Sequence, residues 1–243
     1  MTRGFPEREF ADRCARAQSK MLATGLGALL LTTEPEIRYY TGFLTRFWES
    51  PTRPWFLILP PEGKPIAVIP SIGAALMGQA YVGEVRTWRA PYLRDDGVSL
   101  LIRTLNEVRQ GLPVGTARGL ESHTRMPLAS LTALLDNVPV TGDAHLTRRL
   151  RMVKSEAEVE KIETACQIAT RAFDRVGEIA RPGVPLAQVF RDFQRLCLEE
   201  GADWVPYLAG AAAKQGYADV ISPATDAPLG KRGCAHARHR ARL

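Results

Sequence analysis

No apolar run in this chain approaches the roughly 18 residues that a membrane-spanning helix needs. Its start, Met1-Thr-Arg-Gly-Phe-Pro-Glu-Arg-Glu-Phe10, lacks an apolar core and carries acids. It reads as neither a secretion signal nor a transit peptide, which predicts a cytoplasmic protein with no membrane partner. Cysteine is scarce: Cys14, Cys166, Cys197 and Cys234 stand too far apart for a metal knuckle or a redox pair. They read as reduced thiols in or near helices. Acids are missing from the last stretch, Gly230 to Leu243, which holds Lys231, Arg232, Arg238, Arg240 and Arg242. The net charge is +6, but setting aside those five of the 32 basic residues leaves 27 against 26 acids. A nearly neutral body has no broad electrostatic footprint for phosphate, so nucleic acid is not an expected partner.

What is present is an alternation of short apolar runs with amphipathic stretches. Phe10 to Leu22 places Phe10, Cys14, Ala17 and Met21 at helical spacing, and Gly25 closes the helix. Strands are predicted at 27–33, 55–59, 65–69 and 84–88, with further extended pieces at 113–115 and 138–140. Pro60-Pro61-Glu62-Gly63 makes the second and third a hairpin. Helices are predicted at 72–80, 98–109 and 127–135. The alternation argues an α/β domain over 1–148, a mixed sheet flanked by helices.

The texture then changes. Residues 149–155 read as a basic connector, continuing a basic run that starts at Thr147. Ser155-Glu-Ala-Glu158 is a capping box: the serine accepts from the Glu158 amide while Glu158 reaches back. The helix it opens runs to about Ala180, with Val159, Ile162, Ala165, Cys166, Ala169, Phe173 and Val176 in one stripe. Pro185 opens another, to Glu200, with Leu186, Val189, Phe190, Phe193, Leu196 and Cys197 inward. Tyr207 to Ala213 reads as a small-residue strand, with Tyr217 to Ile221 as its partner. Residues 230–243 show neither apolar period and are expected to build no core element.

Three segments carry a family resemblance. Arg38-Tyr39-Tyr40-Thr41-Gly42-Phe43 resembles the Tyr-Leu-Thr-Gly-Phe signature of creatinase-type N-terminal domains. Arg151-x-x-Lys154-Ser155-x-x-Glu158 is similar to the connector and first helix cap of the pita-bread metallohydrolase domain that follows in that family. The helix-helix-strand order after it is the opening of that fold. The resemblance, to Xaa-Pro aminopeptidases, prolidases and creatinase, covers Phe5 to Leu229. It implies a creatinase-like domain at 1–148 and an incomplete α+β pita-bread domain at 156–229, ahead of an aberrant basic tail at 230–243.

The same resemblance implies two divalent ions, manganese, cobalt or zinc, held in intact relatives by two Asp, one His and two Glu. Such a pair can share a hydroxide nucleophile and polarise the scissile carbonyl. It also implies a homodimer and a small peptide or modified amino acid as substrate. The first Asp of the family lies in a strand that reads Gly-Asp, a short hydrophobic run and then Asp-x-Gly, just after an Ala-Pro-Leu-like turn. Here Ala227-Pro228-Leu229 is followed by the basic tail. Codons that spell Arg232 to Arg240 and open Ala241 can, one base later, spell Gly-Asp-Val-Leu-Met-Leu-Asp-Thr-Gly. A single-base frameshift near Gly230 to Arg232 is therefore the expectation, with an ordinary basic tail as the rival.

Few residues present themselves for chemistry. His236-x-x-His239 has no helix or carboxylate to support a metal pair; His123 and His145 read as surface or satisfied histidines. Glu199, Glu200, Asp203 and Asp219 are not spaced to replace the missing ligands, so no catalytic and no metal residue is assigned and no cofactor is expected in this chain. Ser222-Pro223 stands where many Xaa-Pro aminopeptidases carry a His, which points away from strict Xaa-Pro specificity. The loop Arg46-Phe-Trp-Glu-Ser-Pro-Thr-Arg53 packs two arginines, a Trp and a Glu together. Arg46, Trp48 and Arg53 are the candidate substrate-binding residues: guanidinium takes a carboxylate in two bonds and Trp closes a wall. The resemblance implies that this loop serves the catalytic site of a dimer mate. Its rival is a solvated loop with Trp48 and Trp55 in the core. The expectation for function is a family metallohydrolase that ends before its own active site and is inactive; the alternative is a non-catalytic binding or dimerisation module.

Overall fold

The apolar runs of the first half become neighbours in one sheet. The computed structural model describes residues 3–49, 54–119, 122–213, 221–230 and 234–242, and they fall into two compact units, Met1–Val153 and Lys154–Leu243. In chain order the first unit has α1 (Glu7–Ala23), β1 (Ala28–Leu31), α2 (Glu34–Thr41), a 3-10 turn at Arg46–Glu49, β2 (Phe56–Leu59) and β3 (Ile66–Pro70). A 3-10 turn at Ser71–Gly73 leads into α3 (Ala74–Met77) and β4 (Glu84–Trp88). Then come α4 (Val98–Val108), β5 (Val114–Thr116), α5 (Leu128–Asn137), β6 (Val140–Gly142) and α6 (Leu146–Met152).

The six strands form a mixed sheet in the order β4-β3-β2-β1-β5-β6. Only β2 runs against its neighbours, pairing antiparallel with β1 (Leu30 opposite Ile58) and β3 (Leu57 opposite Ala67). Both faces are covered, so the central strands are apolar at every position rather than at alternate ones. Leu29, Leu31, Leu57, Leu59 and Ile69 face Cys14, Ala17, Met21, Ile37 and Tyr40 of α1 and α2. Leu30, Phe56, Ile58 and Val68 face Leu101, Leu105 and Leu134 of α4 and α5. Each such side chain contributes about 1.5–3 kcal/mol by leaving water.

Three local readings change here. Glu34–Thr41, unassigned from the sequence, is a helix with Pro35 in its first turn. The Thr41-Gly42-Phe43 signature is its terminus: Gly42 stops it at φ 73°, and a Cβ there would lie 2.7 Å from Phe10 Cζ. The helix predicted at 72–80 is only α3 and its preceding turn, because the chain must reach β4 quickly. The basic run expected as a connector is α6 over Leu146–Met152, and its Leu146 and Leu150 join the core with α1 and α2. Charge dominated that stretch in the sequence, while two apolar residues four apart decided its fate.

The second unit has α7 (Glu156–Asp174), α8 (Val176–Ile179), α9 (Leu186–Glu199), β7 (Trp204–Ala213) and β8 (Cys234–Arg242). The capping box forms as expected: the Ser155 hydroxyl accepts from Glu158 N at 3.2 Å and Ser155 N donates to Glu158 Oε2 at 3.0 Å. The helix breaks at Arg175 rather than continuing to Ala180. Its buried face is not the predicted stripe: Ile168 and Ala172, which the stripe left out, are buried, whereas Val159, Ile162 and Phe173 are 52%, 49% and 40% exposed and Cys166 is exposed too. Phe193, read as inward from its spacing, is buried with Ile168, Leu196 and Cys197, and its ring meets that of Phe173 at a tilt, 4.8 Å between centroids.

The tail forms an element that neither apolar period predicts. Cys234–Arg242 is strand β8, antiparallel to β7, with Leu208 opposite His239 and Gly210 opposite Ala237. A ten-residue strand such as β7 presents a row of backbone donors and acceptors, and a second strand satisfies them whatever its side chains. The partner expected for β7, Tyr217 to Ile221, lies for residues 217–220 outside the described residues. Among the described residues no helix is long and apolar enough to cross a membrane.

Candidate functional site

The carboxyl ends of β1 and β5 form the topological switch point of the sheet. The chain leaves β1 toward β2 on one side and leaves β5 toward β6 on the other, which opens a crevice in folds of this type. The residues just beyond the strands are short and polar: Thr32 and Thr33 after β1, and Ser122 to Arg125 after β5. They knit the two loops together. The Thr33 and Ser122 hydroxyls donate to the two oxygens of Glu36, at 2.7 and 2.6 Å. Glu36 is only 2% exposed, and a buried carboxylate persists when its oxygens are hydrogen-bonded. Arg125 N donates to Thr32 Oγ1 at 2.7 Å, and Thr116 Oγ1 meets Thr124 Oγ1 at 3.0 Å.

The loop carrying the predicted binding residues hangs on this lattice. After Gly42 the chain drops Phe43 into the core and turns through Arg46–Glu49. The Arg125 guanidinium donates through Nη1 to the Trp48 carbonyl. Phe43, Trp48 and Trp55 pack ring to ring, at 6.3, 5.3 and 5.8 Å between centroids. Trp48 is thus 6% exposed and forms part of the core, the rival placement given above. Its indole Nε1 is buried without a hydrogen-bond partner. Arg46 stays at the surface, and Arg53 lies outside the described residues. Glu36, Ser122, Thr32 and Arg125 were not singled out from the sequence; the polar pair Thr32-Thr33 at the end of an apolar run was the available signal.

Two groups beneath this edge are strongly shifted. Burial pushes the Cys14 thiol up to about 12, against a smaller opposing pull from Arg13. Burial also raises the Tyr40 phenol well above its ordinary value. The Thr147 hydroxyl lies near enough to temper that rise, yet outside hydrogen-bond geometry, since both oxygens are buried without a bonded partner. Both groups are protonated at neutral pH and serve the core.

The residues present do not fit a two-metal centre. Among the described residues no group of three or more His, Cys, Asp or Glu could hold a metal ion. Glu199 and Glu200 are committed to cations: Arg175 reaches Glu199 at 3.1 Å and Glu200 at 2.9 Å, and Arg171 reaches Glu200 at 2.9 Å. These arginines hold the Glu200 carboxyl below its ordinary range. His123 and His145 are exposed, and Asp219 lies outside the described residues. His236 and His239 stand on β8, opposite Ala211 and Leu208.

Comparison with known proteins agrees with this architecture. The family model of the creatinase/prolidase N-terminal domain matches residues 13–153. A probable dipeptidase PepE of Mycobacterium tuberculosis is 29% identical over 224 residues, which is 90% of this chain and 58% of that protein. The crystal structure of dipeptidase PepE from Mycobacterium ulcerans superposes with a TM-score of 0.76 at 25% identity, over 97% of this chain and 61% of that one. A recombinant prolidase from Thermococcus sibiricus shares the fold, with a TM-score of 0.81 at 19% identity over 98% of this chain and 62% of that one. The chain therefore spans about three-fifths of the length of these relatives. With its six-stranded mixed sheet and its match over 13–153, the chain belongs to the creatinase/prolidase N-terminal domain family.

Proposed function

We propose that this chain supplies the amino-terminal part of a dipeptidase-type metallohydrolase and has no hydrolytic centre of its own. The observation that carries this is a mismatch. Likeness to dipeptidase PepE runs through 90% of the chain, yet among the described residues no group of three or more His, Cys, Asp or Glu could hold a metal ion, and Glu199 and Glu200 are tied up in ion pairs with Arg171, Arg175 and Arg195. The 156–229 segment is read as the opening of a pita-bread domain, in a cytoplasmic homodimer. The test is direct: the purified chain, given manganese, cobalt or zinc, should not cleave a proline dipeptide above the metal-only blank. Metal-dependent turnover by the chain as it stands would overturn the proposal.

The tail is read as a frameshift product. The codons of Arg232 to Arg240, read one base later, can spell a strand with two aspartates where the family carries its first metal ligand, and β8 occupies that stretch. Resequencing across Gly230 decides it; a shifted frame that stops within a few codons, or spells something else, ends the idea. Restoring the frame should bring metal binding and activity back together. In such a restored enzyme Arg46 and Arg53 would address the substrate carboxylate from the neighbouring subunit, and Arg46→Ala and Arg53→Ala should raise KM more than they lower kcat.

A second reading, a dimerising module, is favoured by one observation, the uncovered apolar residues Val159, Ile162 and Phe173 of α7. Limited proteolysis separates the two: a module should resist through Leu229, whereas a broken enzyme should be trimmed back to about Arg151.

A further inference from the structure

A cleft at the β4 edge of the sheet plays no part in the loop lattice at β1 and β5. It opens between the chain leaving β4 and the first turns of α4, with a volume of about 760 Å³. Small-molecule sites fall in the range of roughly 300–1,000 Å³. Trp88, Pro91 and Leu100 give it an apolar wall; Arg89, Arg103 and Tyr92 supply its polar groups. Local geometry explains the arrangement. Strand alternation turns Trp88 inward and Arg89 outward at the end of β4. Leu100 and Arg103, three apart on α4, share a helix face.

Among the described residues the lining carries two guanidiniums, Arg89 and Arg103, against one carboxylate. Asp95 is the sole acid among the described residues that line the cleft, and its Oδ1 accepts from Ser99 N at 2.8 Å and Ser99 Oγ at 2.7 Å. That carboxylate is committed to closing the first turn of α4. Arg89 and Arg103 meet no acidic partner among the described residues. Nearby Arg86 differs, held by Glu84 at 2.8 Å and by Glu107. Two guanidiniums beside an indole and a proline offer two bonds to a carboxylate and a flat surface to whatever the carboxylate is attached to.

We propose that this cleft binds a small organic carboxylate with an aromatic or aliphatic body. The arginines take the carboxylate, and the Trp88–Pro91–Leu100 wall takes the body. A bare inorganic anion would leave that wall in water and gain less. The proposal rests on the first unit alone and stands apart from the hydrolase reading.

The test uses the full chain, labelled with nitrogen-15, and two probes: benzoate, and inorganic phosphate as charge without a body. The indole Nε1 of Trp88 is buried without a partner, pressed so close to Gly97 that a Cβ there would lie 2.4 Å away. Its N–H resonance reports on the cleft. Benzoate should give saturable shifts at Trp88 and at residues 89–103, with phosphate binding at least about tenfold more weakly, the scale of one lost net interaction. Arg89→Ala and Arg103→Ala, both at exposed positions, should each weaken benzoate about tenfold and leave distant resonances in place. Absence of saturable shifts, equal affinity for phosphate, or unchanged benzoate affinity in both variants would overturn the proposal.

Discussion

The Arg125 guanidinium donates to the Trp48 carbonyl, while the same residue's amide donates to Thr32 Oγ1 at 2.7 Å. One residue thus ties the Arg46–Glu49 turn to the end of β1. Arg125→Ala should lower stability by about 1–3 kcal/mol, since the carbonyl of a buried residue loses its charged donor. Arg125→Lys should recover only part, because ammonium lacks the planar fork. Urea unfolding followed by tryptophan fluorescence measures both; full recovery in the lysine variant would mean that any cation suffices.

Gly42 ends α2 at φ 73° against the Phe10 ring. Gly42→Ala adds a Cβ where the chain is left-handed and 2.7 Å from Phe10 Cζ. A loss of about 1–3 kcal/mol is expected, read as a fall in the unfolding midpoint of the first unit. A change within error would show that Phe10 moves aside freely.

Ser155→Ala removes one half of the reciprocal cap of α7. The cost should be about 1 kcal/mol, concentrated in the first turn and visible as faster amide exchange at Glu156 to Val159. Ser155→Asp should restore protection, as a carboxylate also caps a helix start.

Alkaline pH should weaken the fold. The Cys14 thiol is raised from its ordinary 9.0 to about 12, and Tyr40 is raised from its ordinary 10.0. Both are neutral when protonated, and the folded state holds the proton more tightly than the unfolded state. Their stability is therefore complete below pH 9 and is lost as pH rises toward 12. Denaturant midpoints between pH 8 and 11 test the sign, and Cys14→Ser should flatten the first part of the decline. A midpoint that rises over this range contradicts the burial of both groups.

The apolar residues Val159 and Ile162 are about half exposed on α7. Val159→Glu with Ile162→Lys should leave stability within about 0.5 kcal/mol and reduce both binding of an apolar dye and concentration-dependent association. Unchanged association would place the sticky surface elsewhere.

Much of this fold was legible locally. An apolar run bounded by prolines, as at 55–59, predicts a buried strand because the backbone there has little else to do. The capping box is equally local, since Ser155 and Glu158 are three residues apart. Amphipathic α4 and α9 follow from spacing alone. Where several local tendencies compete, the sequence says less: the charges of Arg148, Arg149 and Arg151 masked Leu146 and Leu150, and α6 formed because those two leucines found a core.

The site edge was hardly legible, because its bonds join distant parts of the chain. Glu36 and Ser122 are 86 positions apart, and Trp48 and Arg125 are 77 apart. No periodicity links such pairs; only the meeting of β1 and β5 does. The sequence by itself determined the α/β character, the two helices that open the second unit, and the family, since these rest on spacing within a few turns or strands. Tertiary structure alone decided that Trp48 lies in the core, that Glu36 is held by two hydroxyls, and that β8 pairs with β7. Each of these depends on which surfaces and free backbone groups come together once the chain is folded.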